Sequence, residues 1–149
     1  MARGNQKSVV HYDPTCPSGL RWNTGEAAGS LGGAYYRVTG KAAHRLVWEL
    51  HNGPIPDGME VDHKNRDKID NRIENLRLAT REQNRANVAT YSNNTSGTKG
   101  VYFDNSKCAW VAKIKVDGKT HRRQNKDRAV VESWLLSMRP KLHKEYAYA

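Results

Sequence analysis

The chain has 149 residues, a net charge of +10, and 37% hydrophobic against 27% charged residues, room for one ordinary domain or two very small ones. No apolar run approaches the ~20 residues of a membrane span, and nothing resembles a signal peptide. Cys16 and Cys108 belong to no CxxC pair, which argues against a zinc-stapled or disulfide-framed fold and for a soluble, cytoplasmic protein in a reducing compartment.

In chain order, the first forty residues are short extended runs broken by glycine (Gly19 to Trp22, Gly29 to Gly33, Ala34 to Val38) and predict two or three β-strands with tight turns. From Ala42 to His51 the period changes. Leu46, Val47 and Leu50 recur at helical spacing beside Trp48, and Asn52-Gly53-Pro54 stops the helix. Pro56-Asp57-Gly58 predicts a turn, Met59 to His63 a short strand, and Lys64 to Asp70 a polar loop. Ile73, Leu76 and Ala79 with Thr80 predict a helix from Arg72 through about Asn87.

Tyr91 to Thr98 is polar and rich in Gly, Asn and Ser, and a domain boundary is expected there: residues 1–90, a linker at 91–98, and 99–149. Beyond it, Gly100 to Phe103 is strand-like. Trp110 to Val116, then Asp117-Gly118, then Lys119 onward predicts a hairpin on a type I′ turn. Val131, Leu135, Met138 and Leu142 form an apolar helical stripe, and Pro140 limits where that helix ends.

The middle of the chain carries the chemistry. Asp62 offers a hard oxygen ligand, and the adjacent His63 an imidazole able to take a proton near neutral pH. Asn84 adds a neutral oxygen, and Asn75 can tie down a loop through backbone bonds. Phosphodiester hydrolysis needs an activated water and neutralised charge at phosphorus. One divalent cation held by few protein groups supplies the latter, because the phosphate completes its coordination. Neighbours on a strand point to opposite sides, so the strand is expected to end at His63, letting Asp62 and His63 converge. A lone Asp-His pair is usually incidental; the ordered asparagines raise this one above that background.

Ala43-His44-Arg45-Leu46-Val47-Trp48, Gly53-Pro54-Ile55-Pro56, Val61-Asp62-His63, Asp70-Asn71-Arg72 and Asn75-Leu76-Arg77 resemble the HNH homing-type endonucleases common in bacteriophages. The likeness spans roughly residues 19–90. It implies a ββα-metal site with His63 as general base, Asp62 as metal ligand, Asn75 bracing the loop and Asn84 as the final ligand, where many HNH enzymes have histidine. It implies one divalent ion, Mg²⁺ with Mn²⁺ as the alternative. His44 is expected to pack or cap, Asn71 to cap the loop, and Arg72 and Arg77 are candidate phosphate contacts.

Charge is partitioned against this section. Eight basic and eight acidic residues cancel over 44–92, whereas 93–125 hold seven basic residues against two acidic ones, as a phosphate-binding module should. If Asp117-Gly118 is the turn, Val116 faces Lys119, Lys115 faces Thr120, and Lys113 faces Arg122. Side-chain alternation then gives one apolar face (Trp110, Ala112, Ile114, Val116) and one basic face holding Lys113, Lys115, Arg122 and, from the first strand, Tyr102. Such a sheet is a shape able to enter the major groove. Lys99 to Tyr102, Trp110 to Ile114 and Leu142 to Ala147 resemble the Apetala-type (ethylene-response-factor) DNA-binding domain. The usual Leu-Gly-x-Phe after its third strand is replaced here by Arg122-Arg123-Gln124-Asn125.

The expectation is therefore an α+β protein, with a ββα-metal core preceded by small β-strands and a three-stranded antiparallel sheet packed on a helix. It would be a metal-dependent DNA endonuclease acting on double-stranded DNA without a membrane, nicking as a monomer or cutting both strands as a dimer. The alternative is a DNA-binding regulator whose nuclease section is inert.

Overall fold

A computed structural model describes residues 9–88, 90, 92 and 94–146. Tyr91 and Asn93 of the expected linker, and Ala147 of the closing motif, lie outside the described residues. The fold is mixed α and β, with short sheets and three α-helices among the described residues. The chain divides between Thr80 and Arg81 into two compact units.

In the first unit, β1 (Val10–Tyr12) pairs antiparallel with β2 (Leu20–Trp22), while β3 (Ser30–Gly32), β4 (Tyr35–Val38) and β5 (Lys41–Ala42) form a second antiparallel sheet. Among the described residues, four strands thus form before residue 40, one more than glycine punctuation suggested. Just before β3, Gly29 packs against β4: its φ is +86°, and a Cβ there would lie 2.5 Å from the Arg37 carbonyl oxygen. Only glycine tolerates both conditions.

Helix α1 (Ala43–Asn52) follows, ended by Gly53 at φ 80°, whose N–H donates to the Glu49 carbonyl at 3.0 Å. Ala43 and Val47, one turn apart, join Leu20, Ala28, Val38, Val61 and Leu76 in the core. Leu50, in the last turn, stays half exposed, so the buried stripe is shorter than the spacing predicts.

The continuous helix expected from Arg72 to Asn87 does not form. A 3₁₀ turn at Ile73–Asn75 leads into strand β7 (Leu76–Thr80), which pairs with β6 (Met59–His63) along its whole length. Helix α2 (Arg81–Asn87) begins only afterwards. Apolar residues three apart fit a turn followed by a strand as well as they fit a helix. The backbone groups of β6 need a partner, and that need decides between them.

In the second unit, β8 (Val101–Asp104), β9 (Ala109–Val116) and β10 (Lys119–Asn125) form a meander with β9 central, backed by α3 (Arg128–His143). Asp117 and Gly118 have φ 50° and 75°, as a type I′ turn requires. The register pairs Val116 with Lys119, Lys115 with Thr120 and Lys113 with Arg122, as read from the turn. Val101, Ala112 and Ile114 pack on Val131 and Leu135, with Trp110, Val116, Trp134 and Leu142 around them. Asp127 caps α3 by accepting the Ala129 N–H at 2.9 Å. Among the described residues, no helix is long and apolar enough to cross a membrane.

Candidate active site

The β6–β7 ladder places Arg77 directly opposite Asp62. The guanidinium grips one carboxylate oxygen, with Nη2 at 2.9 Å and Nε at 3.0 Å. The two side chains are only 12% and 7% exposed, so each charge is held in a poorly solvated place by the other. Arg77, a candidate phosphate contact by sequence, is thus engaged with Asp62.

His63 is the last residue of β6 and still in register with Leu76, so its side chain leaves the ladder on the side opposite to Asp62. The strand ends at His63, as expected, with His63 still paired to Leu76. Its Nε2 lies 3.1 Å from Oδ1 of Asn71. The Asn71 amide is itself oriented, because Nδ2 donates to the Ser18 carbonyl at 3.0 Å, and a carbonyl only accepts. Oδ1 therefore faces His63, so Nε2 is a ring nitrogen that carries a proton toward it.

Around this imidazole, His44 makes an edge contact with ring centroids 4.9 Å apart, and Tyr35 lies 5.2 Å from His44 and 6.2 Å from His63. His44 is buried, and burial, then the neighbouring His63 and Arg45, lower its pKa to about 4. It is a neutral wall for His63. Lys68 stands 5.3 Å over the Tyr35 ring.

The loop between the two strands is tied by Asn75. Its Oδ1 accepts the Asn65 N–H at 3.0 Å, and its Nδ2 donates to the Asp70 carbonyl at 2.8 Å. Asp70 takes a two-pronged bond from Arg72, both at 2.8 Å, which holds its pKa at about 2. The Arg72 side chain nevertheless remains 65% exposed. Asn84 sits on α2, within the second unit, half-buried.

The basic sheet residues share one face of the second unit. Tyr102 pairs with Val111, and Lys113 with Arg122, so Tyr102, Lys113, Lys115 and Arg122 all lie opposite the face packed on α3. Lys115 approaches Glu82 at 3.6 Å, and Arg122 approaches Asp104 at 3.8 Å. Lys113 is exposed.

His44 packs, as its place at the helix start suggests, and its neighbour is His63. The support that Ser18, Tyr35 and Asn71 give His63 is not legible in the sequence: Asp70-Asn71-Arg72 marks Asn71 as a loop residue, and its partner Ser18 lies 53 positions away.

Asp62 is a carboxylate and Asn84 an amide, and each offers a hard oxygen of the kind that divalent cations take as ligands. Among the described residues no group of three or more His, Cys, Asp or Glu is arranged to hold a metal.

A family model described as HNH endonuclease matches residues 41–86, a stretch that includes Asp62, His63, Asn75 and Asn84. Protein 3.8 of Escherichia phage T7 is 36% identical over 104 residues, 70% of this chain and 86% of that protein. An uncharacterized HNH endonuclease of Acanthamoeba polyphaga mimivirus is 37% identical over 83 residues, 55% of this chain and 42% of its own length. No solved structure matches the chain.

Proposed function

We propose that this chain, which belongs to the family of phage T7 Protein 3.8 and carries an HNH endonuclease domain, is a metal-dependent, homing-type DNA endonuclease of the ββα-metal class. One observation carries the reading. Inside the matched segment, an imidazole anchored through its Nε2 stands next in sequence to a nearly buried carboxylate.

In this reading His63 is the general base. Asn71 would hold the proton on Nε2, and the imidazole would take a proton from the attacking water. The neutral His44 and the Tyr35 ring fix the imidazole plane and limit water around it. Asp62 and Asn84 would hold the divalent ion, Mg²⁺ or Mn²⁺, which when bound neutralises charge on the phosphate and its leaving oxygen. Asn75 keeps the 64–75 loop closed so that β6 ends rigidly.

The second unit would locate the cut. A three-stranded sheet backed by one helix, with Tyr102, Lys113, Lys115 and Arg122 facing outward, supports an Apetala-type contact with double-stranded DNA in the host cytoplasm. Arg72, largely exposed, is a further phosphate contact. The rival is a DNA-binding regulator with an inert nuclease section, and it draws on the Arg77 guanidinium that already occupies Asp62.

Supercoiled plasmid separates the two. The endonuclease reading expects open circles or linear product only while divalent ions are free, and none after EDTA. His63→Ala should abolish conversion while retaining DNA affinity. Conversion unchanged by His63→Ala would overturn the reading.

A further inference from the structure

A cavity of about 240 Å³ opens in the second unit between α2, the Lys99-Gly100 turn, β9 and α3. Its floor is apolar, made by Ala86, Ile114 and Leu135. Its rim is cationic: Arg85, Lys113, Lys115 and Arg139, with His143 beside them and Glu82 as the one carboxylate in the lining.

The wall is braced rather than loose. Lys99 Nζ donates to the carbonyls of Arg85, Ala86 and Val88 at 2.8, 3.0 and 2.5 Å, closing the C-terminal end of α2. Arg139 in turn donates to the Lys99 carbonyl. At Gly100, with φ +84°, a Cβ would stand 2.7 Å from the Lys113 carbonyl oxygen, so a glycine is required where the turn meets β9.

We propose that this cavity binds one nucleotide unit, its phosphate oxygens on the cationic rim and its sugar and base against the apolar floor. Charge complementarity selects the phosphate. The apolar floor selects something larger than a bare anion. Burial, and then crowding by Lys99 and Arg139, depress the pKa of His143, against the opposing pull of Asp117 and Glu82. Lys99 is likewise lowered by burial and by Arg139. A bound anion would relieve that crowding.

The proposal goes beyond the nuclease reading and shares only Lys113 and Lys115 with the sheet-face contact. It is tested on the full chain in EDTA, so that no cleavage intervenes. Amide and imidazole NMR signals are followed while thymidine 5′-monophosphate, thymidine or inorganic phosphate is added. The expected result is that the nucleotide shifts Gly100, Lys115 and His143, phosphate shifts them more weakly, and thymidine does not.

Arg85→Glu should weaken nucleotide binding roughly tenfold or more, with the remaining spectrum unchanged, while Arg85→Lys stays close to the parent. Equal binding of thymidine, shifts mapping elsewhere, or an Arg85→Glu variant with full affinity would overturn it. A duplex oligonucleotide that displaces the nucleotide identifies the ligand as a strand of nucleic acid; one that does not identifies a free nucleotide. Failure here leaves the plasmid result standing, and failure of the plasmid result leaves this binding standing.

Discussion

The Arg77 guanidinium lies 2.9 Å from the Asp62 carboxylate, straight across the β6–β7 ladder, with both side chains nearly out of water. The carboxylate proposed to hold a cation is therefore already charge-balanced by a residue that the ladder register delivers. Removing one partner of such a pair strands a charge, at a cost of about 3–5 kcal/mol. Arg77→Met should lower the denaturation midpoint accordingly. If Asp62 is a metal ligand, added Mg²⁺ or Mn²⁺ should recover more stability in Arg77→Met than in the parent, because the ion then replaces the missing cation. Equal ion dependence in the two proteins would remove Asp62 from the ligand set.

Asn71 tests the imidazole. Nitrogen-15 spectra of His63 should report a protonated Nε2 and an unprotonated Nδ1 in the neutral ring. Asn71→Leu should mix the tautomers and cut cleavage about 10- to 100-fold, the range for outer groups that orient a functional histidine, with DNA affinity unchanged. It also orphans the buried Ser18 carbonyl, for about 1–3 kcal/mol of stability. A pure Nδ1–H tautomer in the parent would contradict the assignment.

His44 makes stability depend on pH. Its folded-state pKa is lowered from 6.5 to about 4, chiefly by burial. Between those values the unfolded chain binds the proton and the folded chain does not. The contribution is complete above 6.5 and is lost as pH falls through the window towards 4, on the order of 3 kcal/mol in all. Urea unfolding at a series of pH values should show that loss, and His44→Phe should flatten it. A variant with the parent's pH profile would place the dependence elsewhere.

On the sheet, Lys113 is exposed beside Arg122 on the face away from α3. Lys113→Ala should weaken duplex binding and reduce the salt slope by about 1, the value for one phosphate contact. Affinity unchanged across a salt titration would remove Lys113 from the DNA-facing surface.

Much of this molecule is legible without coordinates where the information is local. The type I′ signal at Asp117-Gly118 sets the β9–β10 register, and alternation from that point separates the basic face from the apolar one, as the structure shows. The helix ending at Gly53 is readable for the same reason. Residues 72–87 are different. Ile73, Leu76 and Ala79 suit a helix or a turn and strand equally, and the strand wins because β6, thirteen or more positions earlier, must be paired.

Sequence alone determined the chemical inventory and its order: an acid beside an imidazole, asparagines following at set distances, a neutral section ahead of a basic one. Tertiary structure alone decided which groups meet. Arg77, a candidate phosphate contact by sequence, meets Asp62, and Asn71, a loop residue by sequence, meets His63. The reason is physical. Residue types and short spacings constrain only local torsions, whereas strand register and the packing of Ser18 against Asn71 depend on distant backbone groups that must satisfy one another away from water.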